Sequence, residues 1–123
     1  MLQQEIDHAL HVHRLWMQRL RRSIRRPALS ELDEISRAER CAVHHLLQKA
    51  SKPIKLSAVY DQVLRAHQAF HDAAAATMEL IRASDVDRAL EQLRSGGPTR
   101  EASDRLCNLL AQWRDAVATE SRS

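Results

Sequence analysis

The sequence predicts an all-α protein: an antiparallel four-helix bundle with a short extra helix before the last long one. Three observations predict it. Only 2 glycines and 3 prolines interrupt 123 residues, and aromatic residues make up 3% of the chain. That composition favours helices with few turns over strands. Apolar residues recur at spacings that alternate between four and three, the period of a helix seated on its neighbours. The breaks at Pro27, Ser51-Lys52-Pro53 and Gly96-Gly97-Pro98 cut the chain into helix-length segments.

Each element has its own signals. Residues 2–26 place Ile6, Leu10, His13, Met17, Leu20 and Ile24 on one seam, and Pro27 stops that helix. Ser30-Glu31-Leu32-Asp33 resembles a capping box with Asp in the place of Glu or Gln. It opens a second helix reaching about residue 50, with Leu32, Ile35, Ala38, Ala42 and Leu46 as its buried side and Cys41 near its centre. The third helix is expected over 56–83, with a seam running from Leu56 and Tyr60 through Val63, His67, Phe70 and Ala74 to Thr77 and Ile81. His71 borders that seam, and the small side chains of Ala73 to Ala76 admit a close neighbour. Ser84-Asp85 caps a short fourth helix that ends at Leu93. The last helix, 99–118, carries Ala102, Leu106, Leu109, Trp113 and Ala116 on one face, and the polar residues 119–123 are expected to fray. The reading is one domain over 1–123 with its core in 2–118.

The totals narrow the function. An apolar share of 44% and a charged share of 28% are ordinary for a soluble domain. No run is long enough to span a membrane, and Met1-Leu2-Gln3-Gln4-Glu5 is no signal peptide, so a cytoplasmic protein is expected. In a reducing compartment Cys41 and Cys107 read as free thiols or metal ligands. The net charge is +3, and the densest basic cluster is Arg19, Arg21, Arg22, Arg25 and Arg26. These cations suit the last turn of a helix. No aromatic residue interleaves with them as nucleic-acid stacking requires, so nucleic acid is not an expected partner.

Four residue positions carry chemistry. His67 and His71 are separated by one helical turn, so both imidazoles face one point. His13 and Cys41 fall near the middle of their own helices, and in an antiparallel bundle the helix middles share one layer. Three imidazoles and a thiolate make a closed tetrahedral set that suits zinc. Without a metal, so many polar groups would lack partners in a small apolar core. A di-iron carboxylate bundle is excluded, because Glu5-Ile6-Asp7-His8 is the one Glu-x-x-His pattern in the chain.

His13-Arg14-Leu15-Trp16, Cys41-Ala42-Val43 and His67-x-x-x-His71 together resemble the signature of the chemoreceptor zinc-binding (CZB) domain family. In that family a His-x-x-Trp, a Cys-x-hydrophobic-Gly-x-Trp and a His-x-x-x-His motif supply three His and one Cys to zinc within a helical bundle. The resemblance implies His13, Cys41, His67 and His71 as ligands of Zn2+. Ala89 to Gly96 and Glu101-Ala102-Ser103 are loosely similar to the family's C-terminal part. The chain departs from the family at His44 and Leu46, which stand where Gly and Trp are usual. His44 or His45 offers an alternative ligand one turn from Cys41, and Asp72, Asp61 or Asp7 is a candidate to orient a ligand imidazole.

The resemblance implies a stand-alone regulatory module rather than an enzyme. Such a module would signal zinc level or oxidant to a bacterial-type partner, a chemoreceptor or a diguanylate cyclase, in trans or as a homodimer. Cys41 would be the sensing atom, because oxidation weakens a zinc–sulfur bond; the alternative is a purely structural zinc with a shielded thiolate. A closed ligand set leaves no coordination position for catalysis. The rival reading is a metal-free helical adaptor, or a weak nucleic-acid binder using the cluster from Arg19 to Arg26.

Overall fold

In the computed structural model, which describes residues 2–27, 29–49 and 58–122, the chain is an all-α bundle. Its helices are α1 (Leu2–Ser23), α2 (Leu29–Lys49), α3 (Ala58–Arg82), α4 (Val86–Leu93) and α5 (Pro98–Arg122). No helix is long and apolar enough to cross a membrane among the described residues. The four long helices run antiparallel to their neighbours, and cross-bundle pairs set the register. Glu5 with Lys49, His13 with Glu39, and Arg19 with Glu31 pair α1 with α2 from end to end. Asp7 with Arg114 and His13 with Ser103 do the same for α1 and α5. Thr77 with Thr99 and Tyr60 with Trp113 align α3 with α5.

The core follows from the seams. Ile6, Trp16 and Leu20 of α1, Leu32, Val43 and Leu46 of α2, Val63 and Phe70 of α3, and Leu106 and Leu110 of α5 are all essentially removed from solvent. Each such side chain contributes about 1.5–3 kcal/mol through burial. Packing is uneven around the bundle. α1 lies against α2 and α5, α5 lies against α3, and α4 fills the corner between α3 and α5. α2 and α3 do not close on each other in the same way, and a cleft of about 510 Å3 opens between them.

The helix ends show how a chain with 2 glycines makes its turns. α3 closes with Ser84 in the left-handed region at φ 58°, while Ser84 N–H donates to Ile81 and Asp85 N–H to Leu80. That is a Schellman cap built on a serine. Asp85 then caps α4 by accepting from Arg88 N–H, as the sequence predicts. Gly96 takes φ 85° at the end of α4. Gly97 passes so close to the Glu91 and Gln92 carbonyls that a Cβ would collide with both.

Several expectations are corrected. α1 ends at Ser23 rather than at residue 26, with a turn over 24–26, because Pro27 disfavours helical geometry in the residue before it. α2 begins at Leu29, so Ser30 lies inside the helix. α5 stays helical to Arg122, past the expected fraying point. Ala116 is exposed, and Leu110 stands in the core instead. The Ser51-Lys52-Pro53 break, Ala50, and the start of the third helix with Leu56 lie outside the described residues. The most consequential change is in α2, where the buried seam runs one residue later than expected. Glu39 and Val43 occupy it, while Ala38 is exposed and Ala42 half-buried.

A candidate metal centre between α2 and α3

The displaced seam puts a carboxylate in the core. Glu39 is fully buried near the middle of α2, facing the imidazoles of α3. His71 Nε2 lies 2.5 Å from its Oε2, and His67 Nε2 lies 3.2 Å from each of its two oxygens. The two Nε2 atoms are 3.1 Å apart. A metal about 2.0–2.1 Å from each donor holds the donors about 3.3 Å apart, close to the two longer edges of this triangle, while the 2.5 Å edge between Glu39 and His71 would open on binding. Glu39, His67 and His71 therefore form a group that can hold a metal ion.

His13 completes the surroundings without joining the triangle. Its Nδ1 lies 3.7 Å from Glu39 Oε1, and its Nε2 is 2.8 Å from Ser103 Oγ on α5. Neither His13 Nδ1 nor Glu39 Oε1 has a hydrogen-bond partner among the described residues, although both are buried. Unpartnered buried polar atoms are costly, and here they flank the triangle. Phe70 closes the inner side, with its ring centroid 4.4 Å from that of His13 and 5.3 Å from that of His71. Trp16 stands behind Phe70, edge to face.

The electrostatics are those of a buried carboxylate among imidazoles. Burial alone raises the pKa of Glu39, but the imidazoles of His13, His67 and His71 that surround it outweigh burial and hold the carboxyl well below its usual range. Burial works against a charged His13, while the neighbouring Cys107 and Glu39 favour it, and the balance lifts His13 from 6.5 to about 9. Metal-free, the group is thus a carboxylate braced by an imidazolium.

Of the four ligands expected from the sequence, the structure brings His67 and His71 together and sets His13 beside their carboxylate. Cys41 is not in the group. It is exposed on α2, and a shift of two residues turns a helix by roughly 200°. Burying Glu39 thus turns Cys41 outward, to the rim of the cleft that reaches His67 and His71. His44 and His45 are exposed as well. None of the three aspartates serves an imidazole in the described hydrogen bonds: Asp72 accepts from Gln68, Asp61 pairs with Arg65, and Asp7 pairs with Arg114. His71 Nδ1 instead faces Arg40 Nε, 3.2 Å away.

Glu39 is the residue that sequence reasoning passed over. Its signal was the run Leu32, Ile35, Glu39, Val43, Leu46, which keeps helical spacings of three and four through the glutamate. A charge in an otherwise apolar seam marks a buried partner. Compared with family models, with curated proteins and with solved structures, the chain finds no match.

Proposed function

We propose that this protein is a metal-binding regulatory module in which Glu39, His67 and His71 hold a divalent transition ion, zinc foremost, and His13 braces the carboxylate. Two imidazoles and a carboxylate form a mixed nitrogen and oxygen donor set suited to zinc. The observation that carries the reading is the buried Glu39 carboxylate with two ring nitrogens converging on it and its Oε1 unpartnered. A cation there would replace these polar contacts with coordination.

The regulatory part rests on where the group lies. It ties α2 to α3 beside a cleft that lies between these two helices among the described residues. Metal binding to such a group couples to helix docking, because the ligands are organised only when the helices are together. The signal is therefore metal occupancy, read as the position of α2. With Cys41 off the metal, thiol oxidation is not needed for the switch. The resemblance of the His13, Cys41 and His67/His71 motifs to CZB domains extends the proposal to a signalling partner of the chemoreceptor or cyclase class, reached in trans or through a homodimer.

Metal analysis of protein purified without a histidine tag, followed by zinc titration of the metal-free form, tests the proposal. One bound ion per chain is expected, with a higher melting temperature on binding. Loss of both in His67→Ala, whose ring is partly exposed and whose removal spares the core, supports the site. A metal-free protein that gains no stability from zinc overturns it.

A further inference from the structure

The cleft outside the cluster has a chemistry of its own. Arg40, His44, His67, Gln68 and His71 line it with polar groups, and Leu47 and Leu64 contribute apolar surface. Leu64, 40% exposed, is the large apolar side chain left open to solvent among the described residues. A volume of about 510 Å3 is in the range of small-molecule sites. On the inner side the cluster is walled by Phe70 and His13, so the cleft is its open approach.

Arg40 links the metal to this space. Its Nε–H donates to His71 Nδ1, which requires that nitrogen to be bare and the proton to reside on Nε2. A neutral imidazole that binds a metal through Nε2 carries its proton on Nδ1. Two N–H groups then face each other, and the Arg40 hydrogen bond is lost. Arg40 is exposed, so its guanidinium would then be free at the mouth of the cleft, beside a cation that Glu39, His67 and His71 would hold. Guanidinium and metal would then both face the cleft, where one anion could displace water from the two of them.

We propose that the metal-loaded protein binds a small organic carboxylate in the α2–α3 cleft, with its headgroup between the metal and Arg40 and its short apolar chain between Leu47 and Leu64. The proposal rests on the metal reading above and deepens it. A monocarboxylate matches one guanidinium and one coordination position, and the leucines distinguish it from an inorganic anion. Because metal binding frees Arg40, metal and carboxylate bind with positive coupling, and each tightens the other by the same factor.

Cobalt(II) in place of zinc provides a visible spectrum that reports its ligands directly. Butyrate added to the cobalt-loaded full chain is expected to change that spectrum saturably. It should bind about tenfold or more tighter than to the metal-free chain, measured calorimetrically. Arg40→Gln should still take up cobalt but bind butyrate about tenfold more weakly. Leu64→Ser should weaken butyrate while leaving acetate nearly unaffected. Failure of cobalt to bind overturns the metal reading itself. Cobalt bound with a spectrum indifferent to butyrate overturns only the carboxylate proposal, as does phosphate binding as tightly as butyrate.

Discussion

Glu39 Oε2 and His71 Nε2, 2.5 Å apart, join two helices that otherwise face each other across a cleft. The pair makes α2 and α3 neighbours by chemistry more than by packing. Glu39 is buried on the α1 side as well, where His13 Nδ1 faces its other oxygen at 3.7 Å.

Replacement of Glu39 separates the two cation partners available to it. Glu39→Gln is expected to lower zinc affinity by more than ~100-fold, since a ligand matters more than an outer-shell partner. Cys41→Ser is expected to leave zinc affinity within about threefold of the unaltered protein. Parallel zinc titrations of the two variants against a chromophoric chelator decide the matter. The reverse order would restore the thiol as ligand.

The metal-free and metal-loaded forms should respond to pH in opposite directions. The folded pKa of His13 is raised from 6.5 to about 9. Its stabilising contribution to the metal-free protein is therefore complete below pH about 6.5 and fades as the pH rises through about 9. Glu39, with a depressed folded pKa, contributes above the ordinary carboxylate range and loses its contribution only as acid protonates it. A protonated His13 beside Glu39 opposes a second cation there, so zinc affinity rises over the interval in which the metal-free fold weakens. Urea midpoints at pH 6, 7.5 and 9, with zinc and with chelator, would show the two trends crossing or refute them.

Ser103 holds His13 from behind, so its hydroxyl reaches the site through two residues. Ser103→Ala strands His13 Nε2 in the core and is expected to cost about 1–2 kcal/mol in chemical denaturation. Zinc affinity should fall by about tenfold in the same variant, as for other outer-shell losses. A stability loss without any change in zinc affinity would confine His13 to a structural part.

The α3–α4 corner offers a control remote from the metal. Ser84 holds φ 58°, a conformation that glycine adopts without strain. Ser84→Gly is expected to add about 0.5–1 kcal/mol, and Asp85→Ala to remove about 1 kcal/mol through the lost cap. Neither should move zinc affinity, which thermal melts with and without zinc would reveal.

Helix periodicity and sparse turn residues made the bundle legible, because Pro27, Asp85 and Gly96-Gly97 act through local backbone physics. His13, His67 and His71 were legible for a related reason: they occupy the seams. Glu39 was not, because charged residues are rarely buried and a seam that ran through Ala38 and Ala42 looked sufficient. Those two choices differ by one position, and the larger Val43 decides between them by filling the core that Ala42 leaves short. The motif likeness pointed to Cys41, two residues along, on the opposite side of the helix. Arg40 and its contact with His71 depend on how two helices approach across the cleft, which one-dimensional spacing does not encode.

The uneven packing of the bundle has a consequence in the order of its openings. α2 shares its apolar face mainly with α1, whereas α1, α3 and α5 form a continuous packed unit with α4. Subglobal opening should then begin with α2, whose amides exchange with solvent through a cheaper fluctuation than those of α5. A bound ion removes that fluctuation selectively, so exchange protection would rise in α2 and its hairpin with α1 while the slowest amides of α5 barely change. The ion would govern which parts of the molecule are briefly visible to another protein, with little alteration of its average shape.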